Sequence, residues 1–202
     1  EEKVNVCWIL GVYFYEKDLK KAKGYLDQVV ALESEATNAI KKLAWVETKL
    51  GHYSVAIQHF DRLLALSDND IGYHWDRMIP AVAEERWDIV RLSAAEIGFD
   101  LQSEEGIIDE NLGTVRVQIE VGGESQTYFA KRTSPVTARI TEINGPGEKQ
   151  FFGDTVIFDA SPLNSLDQVD EDGYKCDVEG YYSYLYKAVI HQRVPEAIVF
   201  AL

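Results

Sequence analysis

Apolar and small residues recur in the first half of the chain at a spacing that no insertion interrupts. Three copies of 34 residues follow one another from Lys3 to Glu104, and the same position is apolar in each, for example at Leu19, Tyr53 and Trp87. An unbroken period of this length is typical of helical repeats, in which each unit stacks on the next. The pattern therefore predicts an α-solenoid of three helix pairs.

The middle copy matches the expected features of such a repeat most completely. Gly51 stands where a first helix would end in the left-handed conformation, Ala56 where two helices would cross, and Phe60 one turn later. This copy resembles the second half of a tetratricopeptide repeat. Residues 3–104 as a whole are similar to that family, although the first and third copies lack the glycine. The resemblance implies three antiparallel helix pairs whose concave groove binds a peptide or helix of another protein.

The same resemblance implies which side chains line that groove. They include Cys7 and Gly11 in the first copy, Lys41, Trp45 and Lys49 in the second, and Trp75 in the third. Tryptophans offer a large rigid contact area, and lysines can pair with an acidic group of a ligand. The alternative is that Trp45 and Trp75 pack against the second domain or seal the short solenoid. The residue set with which some members of the family clamp a carboxylate is not reproduced, so a chaperone tail is not the expected ligand.

The spacing of apolar residues changes to alternation after Gly106. Residues 114–121 alternate strictly, with Val115 and Val117 on one face and Arg116 on the other, which indicates a half-buried strand. A hairpin turn follows, and five further strands are predicted at 125–131, 136–143, 151–159, 181–191 and 196–202, with a turn at 144–147. We expect an α+β protein: a helical repeat domain at 1–104 and a small antiparallel β barrel or sandwich at 105–202. The second half resembles no family in the same way.

Tyrosines and carboxylates lie close together near the end of the chain. Tyr182 and Tyr184 are two residues apart and would share one face of a strand, and Asp170 and Asp172 belong to an acidic loop before it. Tyrosines beside carboxylates make a surface suited to a lysine- and arginine-rich protein. Packing of the tyrosines across strands is the alternative.

The acidic loop also invites comparison with a calcium site. Asp170, Asp172, Gly173 and Glu179 match four positions of an EF-hand loop, but Gln168 replaces the leading aspartate and no helix pattern flanks the segment. We expect a solvated loop and no metal.

Composition narrows the classes of partner. The net charge of −14 is spread over both halves and disfavours nucleic acid, whereas it would attract a basic protein. No apolar run is long enough to span a membrane, so a cytoplasmic protein without membrane contact is expected. Reduced thiols at Cys7 and Cys176 fit that location, and a disulfide between the two halves is the alternative.

No nucleophile, metal or phosphate-binding motif of catalysis occurs in the sequence, and no cofactor is implied. The leading hypothesis is a non-enzymatic protein-binding module, with a bacterial immunity or antitoxin-type inhibitor of a basic toxin as its most specific form. The alternatives are a scaffold or assembly adaptor that holds a peptide in the groove, and an enzyme whose site lies in the β domain.

Overall fold

A computed structural model describes residues 2–143 and 151–193 of the chain. The chain divides into two compact units, Glu1–Gly98 and Phe99–Leu202, whereas the sequence analysis places the boundary after Glu104. Within the described residues, the first unit is helical and the second contains strands. The predicted succession of an α part and a β part is therefore confirmed.

The helices of the first unit follow the sequence period. They are α1 (Glu2–Phe14), α2 (Leu19–Leu32), α3 (Thr37–Lys49), α4 (Tyr53–Leu66), α5 (Ile71–Ala83) and α6 (Trp87–Glu96). The second helices of the three pairs begin at Leu19, Tyr53 and Trp87, which are 34 residues apart. Each helix contacts chiefly the helices before and after it in the chain, as stacked helical repeats do. The first unit therefore consists of three stacked helix pairs, as the 34-residue period predicts.

The three pairs make their turns differently. Gly51 has a φ of 79°, the left-handed conformation expected of the glycine in the middle copy. In the third copy, which lacks this glycine, Glu85 enters the same region with a φ of 57°. In the first copy Asp18 caps α2, because its side chain accepts a hydrogen bond from the Lys21 N–H at 3.1 Å. The helix pair thus forms with or without a glycine at the turn.

The helical core lies between successive helices. Ala22 and Leu26 of α2 pack with Leu43 of α3, and all three are almost inaccessible to solvent. Gly11 of α1 lies close to α2, since a Cβ built on it would stand 2.9 Å from Cγ of Leu26. Cys7 is buried as well. The prediction that Cys7 and Gly11 line a groove is therefore wrong: small residues are used here to bring two helices together.

The strands of the second unit form one closed barrel and one short hairpin. They are β1 (Thr114–Val121), β2 (Glu124–Arg132), β3 (Thr137–Ile140), β4 (Thr155–Pro162), β5 (Gln168–Val169), β6 (Lys175–Cys176) and β7 (Leu185–Gln192). The barrel order is β1-β2-β3-β4-β7, and β5 pairs only with β6. Strand β1 has the predicted bounds. Its partner β2 returns antiparallel, with Val121 opposite Glu124.

The second unit differs from the prediction in strand direction and in strand bounds, for example β4 begins at Thr155 and not at residue 151. Its β1 and β7 strands are parallel, with Val117 opposite Tyr186, so the barrel is mixed and not wholly antiparallel. The strand predicted to begin at Tyr181 begins at Leu185. The predicted acidic loop contains the β5–β6 hairpin. The predicted turn at 144–147 and strand at 196–202 lie outside the described residues.

Apolar side chains from every barrel strand fill the barrel interior. The central members are Val117 of β1, Ala130 of β2, Ala138 of β3, Phe158 of β4 and Ala188 of β7. Phe158 also stacks at a tilt on Tyr186, with 4.7 Å between the ring centroids. Closure of the sheet removes the free edges at which an open sheet pairs with other chains.

Candidate functional site

The two lysines predicted to line the groove form ion pairs that join α3 to α5 and to the turn after α1. The Lys41 Nζ of α3 lies 3.0 Å from a carboxylate oxygen of Asp76 in α5. The Lys49 Nζ lies 3.5 Å from a Glu16 oxygen and 4.2 Å from the centre of the Tyr15 ring. Both lysines predicted to meet an acidic ligand already have acidic neighbours in this chain. A ligand carboxylate at either position would have to compete with them.

The two tryptophans of the predicted groove are both half-buried, Trp45 on α3 and Trp75 on α5. The Trp45 ring meets Phe60 edge-on, with 5.9 Å between the ring centroids, and Phe60 itself is fully buried. Trp45 therefore contributes to the core between α3 and α4 and leaves part of its surface accessible. The role of Trp45 and Trp75 in binding a partner stays a prediction.

A second candidate surface surrounds the β5–β6 hairpin, and we call it the acidic tyrosine surface: Asp170, Asp172, Tyr174 and Tyr182. Together with Lys175 these residues line one open cleft. The Tyr174 and Tyr182 side chains are 66% and 62% exposed, and their rings meet edge-to-face with 6.5 Å between centroids. The structure thus brings three of the predicted site residues together and adds Tyr174.

Asp170 holds this surface in place. Its Oδ1 accepts hydrogen bonds from the backbone N–H groups of Asp172 and Tyr174 at 3.0 and 2.8 Å, and its Oδ2 accepts one from the Tyr182 hydroxyl at 2.6 Å. The hydrogen bond from Tyr182, followed by those from the backbone, lowers the pKa of the Asp170 carboxyl below its ordinary value. The carboxylate is therefore ionised at neutral pH and fixes the position of Tyr182.

Tyr182 and Tyr184 do not share one face of a strand, although the sequence analysis predicts that they do. Tyr182 and Tyr184 precede β7, and only Tyr186 lies within it. Tyr182 turns to Asp170, whereas the Tyr184 ring lies 6.3 Å from the Tyr186 ring. The prediction of a shared strand face is wrong because the segment before Leu185 follows the hydrogen bonds of nearby carboxylates and not a strand pleat.

A buried ion pair holds residues 177–181, which directly precede Tyr182, against the barrel. Arg116 of β1 donates a hydrogen bond to Oδ2 of Asp177, and both residues are buried. Oδ1 of Asp177 accepts the N–H groups of Glu179 and Tyr181 at 3.0 and 2.9 Å. The Arg116 guanidinium also lies 3.8 Å from the centre of the Tyr181 ring. The pair therefore anchors residues 177–181 to the barrel.

The pKa of Asp177 reflects two opposing causes. Burial alone would raise it, but the hydrogen bonds that the carboxylate accepts, among them those from Tyr181, Asn164 and Arg116, outweigh burial and lower it to about 2. Sequence reasoning missed both Asp177 and Arg116. It placed Arg116 on the solvent face of β1 because alternation alone assigns a charged residue there, and no local signal connects it with a residue 61 positions later.

Several properties bear on the chemistry of these surfaces. Both oxygens of Asp170 accept hydrogen bonds from N–H and O–H groups, and short strands, not helices, flank the segment that was compared with a calcium loop. No group of three or more metal-ligating side chains occurs among residues 2–143 and 151–193.

Cys7 and Cys176 are buried free thiols. No helix in the described part of the chain is long and apolar enough to cross a membrane.

Comparison with known proteins finds similarity to solved structures at low identity. One is described as a MamA RS-1 ArsTM double mutant: it is 14% identical with a TM-score of 0.43, and the match covers 47% of this chain and 56% of that one. Another is a mutant of the Thermobaculum terrenum O-GlcNAc transferase, 14% identical with a TM-score of 0.40, with 47% of this chain and 19% of that one covered. No family model and no curated protein matches the chain. The description of the helix pairs therefore depends on the 34-residue period and the six helices themselves.

Proposed function

We propose that this chain is a non-enzymatic protein-binding module whose acidic tyrosine surface holds a basic segment of a partner protein. The observation that carries this proposal is the pairing of two exposed tyrosine rings with carboxylates, one of which is hydrogen-bonded to a ring hydroxyl. Tyrosine supplies a large contact area at low entropic cost, and its ring attracts a guanidinium or ammonium group. The adjacent carboxylates can accept charge-assisted hydrogen bonds from the same groups.

The charge of the whole chain supports the same class of partner. A net charge of −14 attracts a basic protein over several ångströms and accelerates encounter. Fast, charge-guided association suits a protein that must neutralise another one quickly. The specific role we propose is therefore an immunity or antitoxin-type inhibitor of a basic toxin.

Two matched charge substitutions test the surface. Asp170→Asn removes a negative charge and keeps a side chain that can still make the local turn. Asp159→Asn is its control, because Asp159 is an exposed carboxylate whose Oδ1, like that of Asp170, accepts a backbone N–H two residues later, that of Ser161 at 2.9 Å. The probe is a short fluorescein-labelled peptide of alternating arginine and glycine, followed by fluorescence anisotropy at low salt.

The expected result is a loss of affinity of about tenfold for Asp170→Asn, which corresponds to about 1.4 kcal/mol. Tyr174→Ala is expected to weaken binding similarly, since it removes a ring and leaves every carboxylate in place. Equal losses for Asp159→Asn and Asp170→Asn would show that only overall charge matters. Full affinity in both Asp170→Asn and Tyr174→Ala would refute a role for this surface.

An adaptor that holds a peptide along the first helices of the repeats is the second candidate function. The half-exposed Trp45 and Trp75 favour it, and the pairing of Lys41 with Asp76 leaves the nearby surface locally neutral. Such a groove would select an apolar peptide, whose binding changes little with ionic strength, whereas binding at the acidic tyrosine surface weakens as salt rises. A salt titration with the purified partner separates the two functions.

A further inference from the structure

The chain makes the same five-residue turn twice, once between β5 and β6 and once directly after β6. Each turn begins with an aspartate, has a second acidic residue two positions later and ends in glycine and tyrosine. The first turn is Asp170-Glu171-Asp172-Gly173-Tyr174, and the second turn is Asp177-Val178-Glu179-Gly180-Tyr181. The first turn supplies most of the acidic tyrosine surface, whereas the second belongs to the segment that is anchored to the barrel.

The hydrogen bonds of the two turns correspond one to one. In each turn Oδ1 of the aspartate accepts the N–H groups of the residues two and four positions later, at 3.0 and 2.8 Å in the first and at 3.0 and 2.9 Å in the second. The aspartate carbonyl accepts the glycine N–H, and the aspartate N–H donates to the tyrosine carbonyl. The glycines have φ of 85° and 82°, which glycine adopts without strain. The side chains around one turn can therefore be compared with those around the other.

The second turn holds an arginine of this chain. The Arg116 guanidinium lies 3.8 Å from the centre of the Tyr181 ring and donates a hydrogen bond to Oδ2 of Asp177. Its Nη1 lies 3.6 Å from a carboxylate oxygen of Glu179. Oδ2 of Asp177 also accepts a hydrogen bond from the side-chain amide of Asn164 at 2.9 Å. The aspartate, the second acidic residue and the tyrosine of the turn thus bind one guanidinium together.

The first turn offers the same three groups. Oδ2 of Asp170 accepts a hydrogen bond from the Tyr182 hydroxyl, a neutral donor like the Asn164 amide in the second turn. A carboxylate oxygen has two lone pairs, so this oxygen can accept one more donor. Asp172 is exposed, and the Tyr174 side chain is 66% exposed. The position that corresponds to the arginine of the second turn is therefore open to solvent.

The arginine for this position does not come from the chain itself. Every arginine of the chain lies within residues 2–143 and 151–193, and none of them pairs with Asp170 or Asp172 in that part of the structure. A second copy of the chain is a poor source, because a net charge of −14 on each copy opposes self-association. A basic partner has the opposite charge and is attracted to the surface.

An arginine fits the three groups better than a lysine does. A guanidinium is planar, so its face can stack on the Tyr174 ring while the N–H groups at its edge reach Asp170 and Asp172. It is also less strongly hydrated than an ammonium group, so less hydration is lost when it leaves water. The cleft is lined by these two carboxylates and by Lys175, so carboxylates outnumber the cation and the site stays acidic.

We propose that the first turn binds an arginine side chain of a partner protein, in the arrangement in which the second turn binds Arg116. The guanidinium stacks on Tyr174, donates to Oδ2 of Asp170 and pairs with Asp172. This inference rests on the proposed function, because the site belongs to the acidic tyrosine surface. It specifies the group that the surface selects, which is arginine over lysine.

Two fluorescein-labelled peptides of equal length and charge test this selection, one of alternating arginine and glycine and one of alternating lysine and glycine. Full-length protein is titrated into each peptide at low salt, and fluorescence anisotropy is recorded. We expect the arginine peptide to bind about tenfold more tightly. Tyr174→Leu should reduce this preference to about twofold or less, because stacking requires the ring. Tyr184→Leu is the control and should keep the preference, because Tyr184 is also an exposed tyrosine, at 43%, and lies outside both turns.

The outcomes separate this inference from the proposed function. Equal affinity for the two peptides, with both weakened by Asp170→Asn, would refute the selection of arginine and leave a basic partner in place. No binding of either peptide would overturn both proposals. A preference that survives Tyr174→Leu, in a variant with unchanged far-UV circular dichroism, would put the arginine elsewhere and overturn the site. A dimer in sedimentation velocity that Asp172→Asn dissociates would make a second copy the occupant and overturn the choice of partner.

Discussion

Two glycine-to-alanine substitutions test the packing of α1 on α2. Gly11 on α1 faces Leu26, and a Cβ at this position would stand 2.9 Å from both Cγ and Cδ2 of that side chain. Leu26 is fully buried and has neighbours on α3, so it cannot turn away into solvent. Gly24 on α2 is exposed, and a Cβ there would meet nothing within 4 Å. The two positions thus share helical backbone and differ in the space around the new methyl group.

The expected free-energy changes follow from this difference. Both substitutions gain about 1 kcal/mol of helix propensity, and both restrict the unfolded chain to a similar extent. Only Gly11→Ala adds the cost of overpacking, about 1 to 3 kcal/mol. We therefore expect Gly24→Ala to stabilise the protein by about 1 kcal/mol, and Gly11→Ala to leave it unchanged or destabilise it by up to about 2 kcal/mol.

Urea unfolding followed by circular dichroism at 222 nm measures both changes in the full-length protein. The midpoint should rise for Gly24→Ala and stay level or fall for Gly11→Ala, with unchanged slopes so that the midpoints report stability. In thermal unfolding the two variants should differ by roughly 2 to 4 °C for each kcal/mol. An equal rise for both variants would refute the close approach of α1 and α2 at Gly11.

Further predictions concern the core, the buried ion pair and the acidic tyrosine surface. Phe60→Ala should destabilise the protein by about 3 to 5 kcal/mol in urea unfolding, because a fully buried ring is removed, and a loss below 1 kcal/mol would contradict its place in the core. Asp177 has its pKa lowered to about 2, so the stability that its ionised form contributes is present above the unfolded value of about 3.9 and is lost as pH falls towards 2. An acid titration of near-UV circular dichroism that shows no change in this window would contradict that contribution. Tyr182→Phe removes the main cause of the lowered pKa of Asp170, so NMR titration of the carboxyl carbon should show a higher pKa in the variant, and an unchanged value would refute the hydrogen bond.

The helical unit was predictable from sequence because its determinants are local and repeated. Each copy places small and large residues at the same spacing, so the six helices and their order follow from the period. Strand β1 was predictable for a similar reason, since alternation over eight residues fixes both its type and its bounds. The burial of Cys7 and Gly11 was not predictable in this way, because the face on which a small residue lies depends on how closely α2 approaches α1.

The barrel closure and part of the site depend on contacts between distant residues. The parallel pairing of β1 with β7 joins Val117 to Tyr186, and no local pattern indicates such a pair. The same holds for Arg116 and Asp177, which are 61 positions apart. Strands β5 and β6 have two residues each, too few for a periodic signal. The nearness of Asp170 and Tyr182 was nevertheless predictable in outline, because both belong to one short segment.

Salt type distinguishes the surfaces that this chain offers to a partner. Binding that depends on Asp170 and Asp172 weakens as sodium chloride screens the carboxylates. Binding in the groove around Trp45 and Trp75 persists in sodium chloride and strengthens in ammonium sulfate, because excluded salts favour apolar burial. A partner whose affinity falls in both salts binds at the acidic tyrosine surface. A partner whose affinity rises in ammonium sulfate binds in the apolar groove around Trp45 and Trp75.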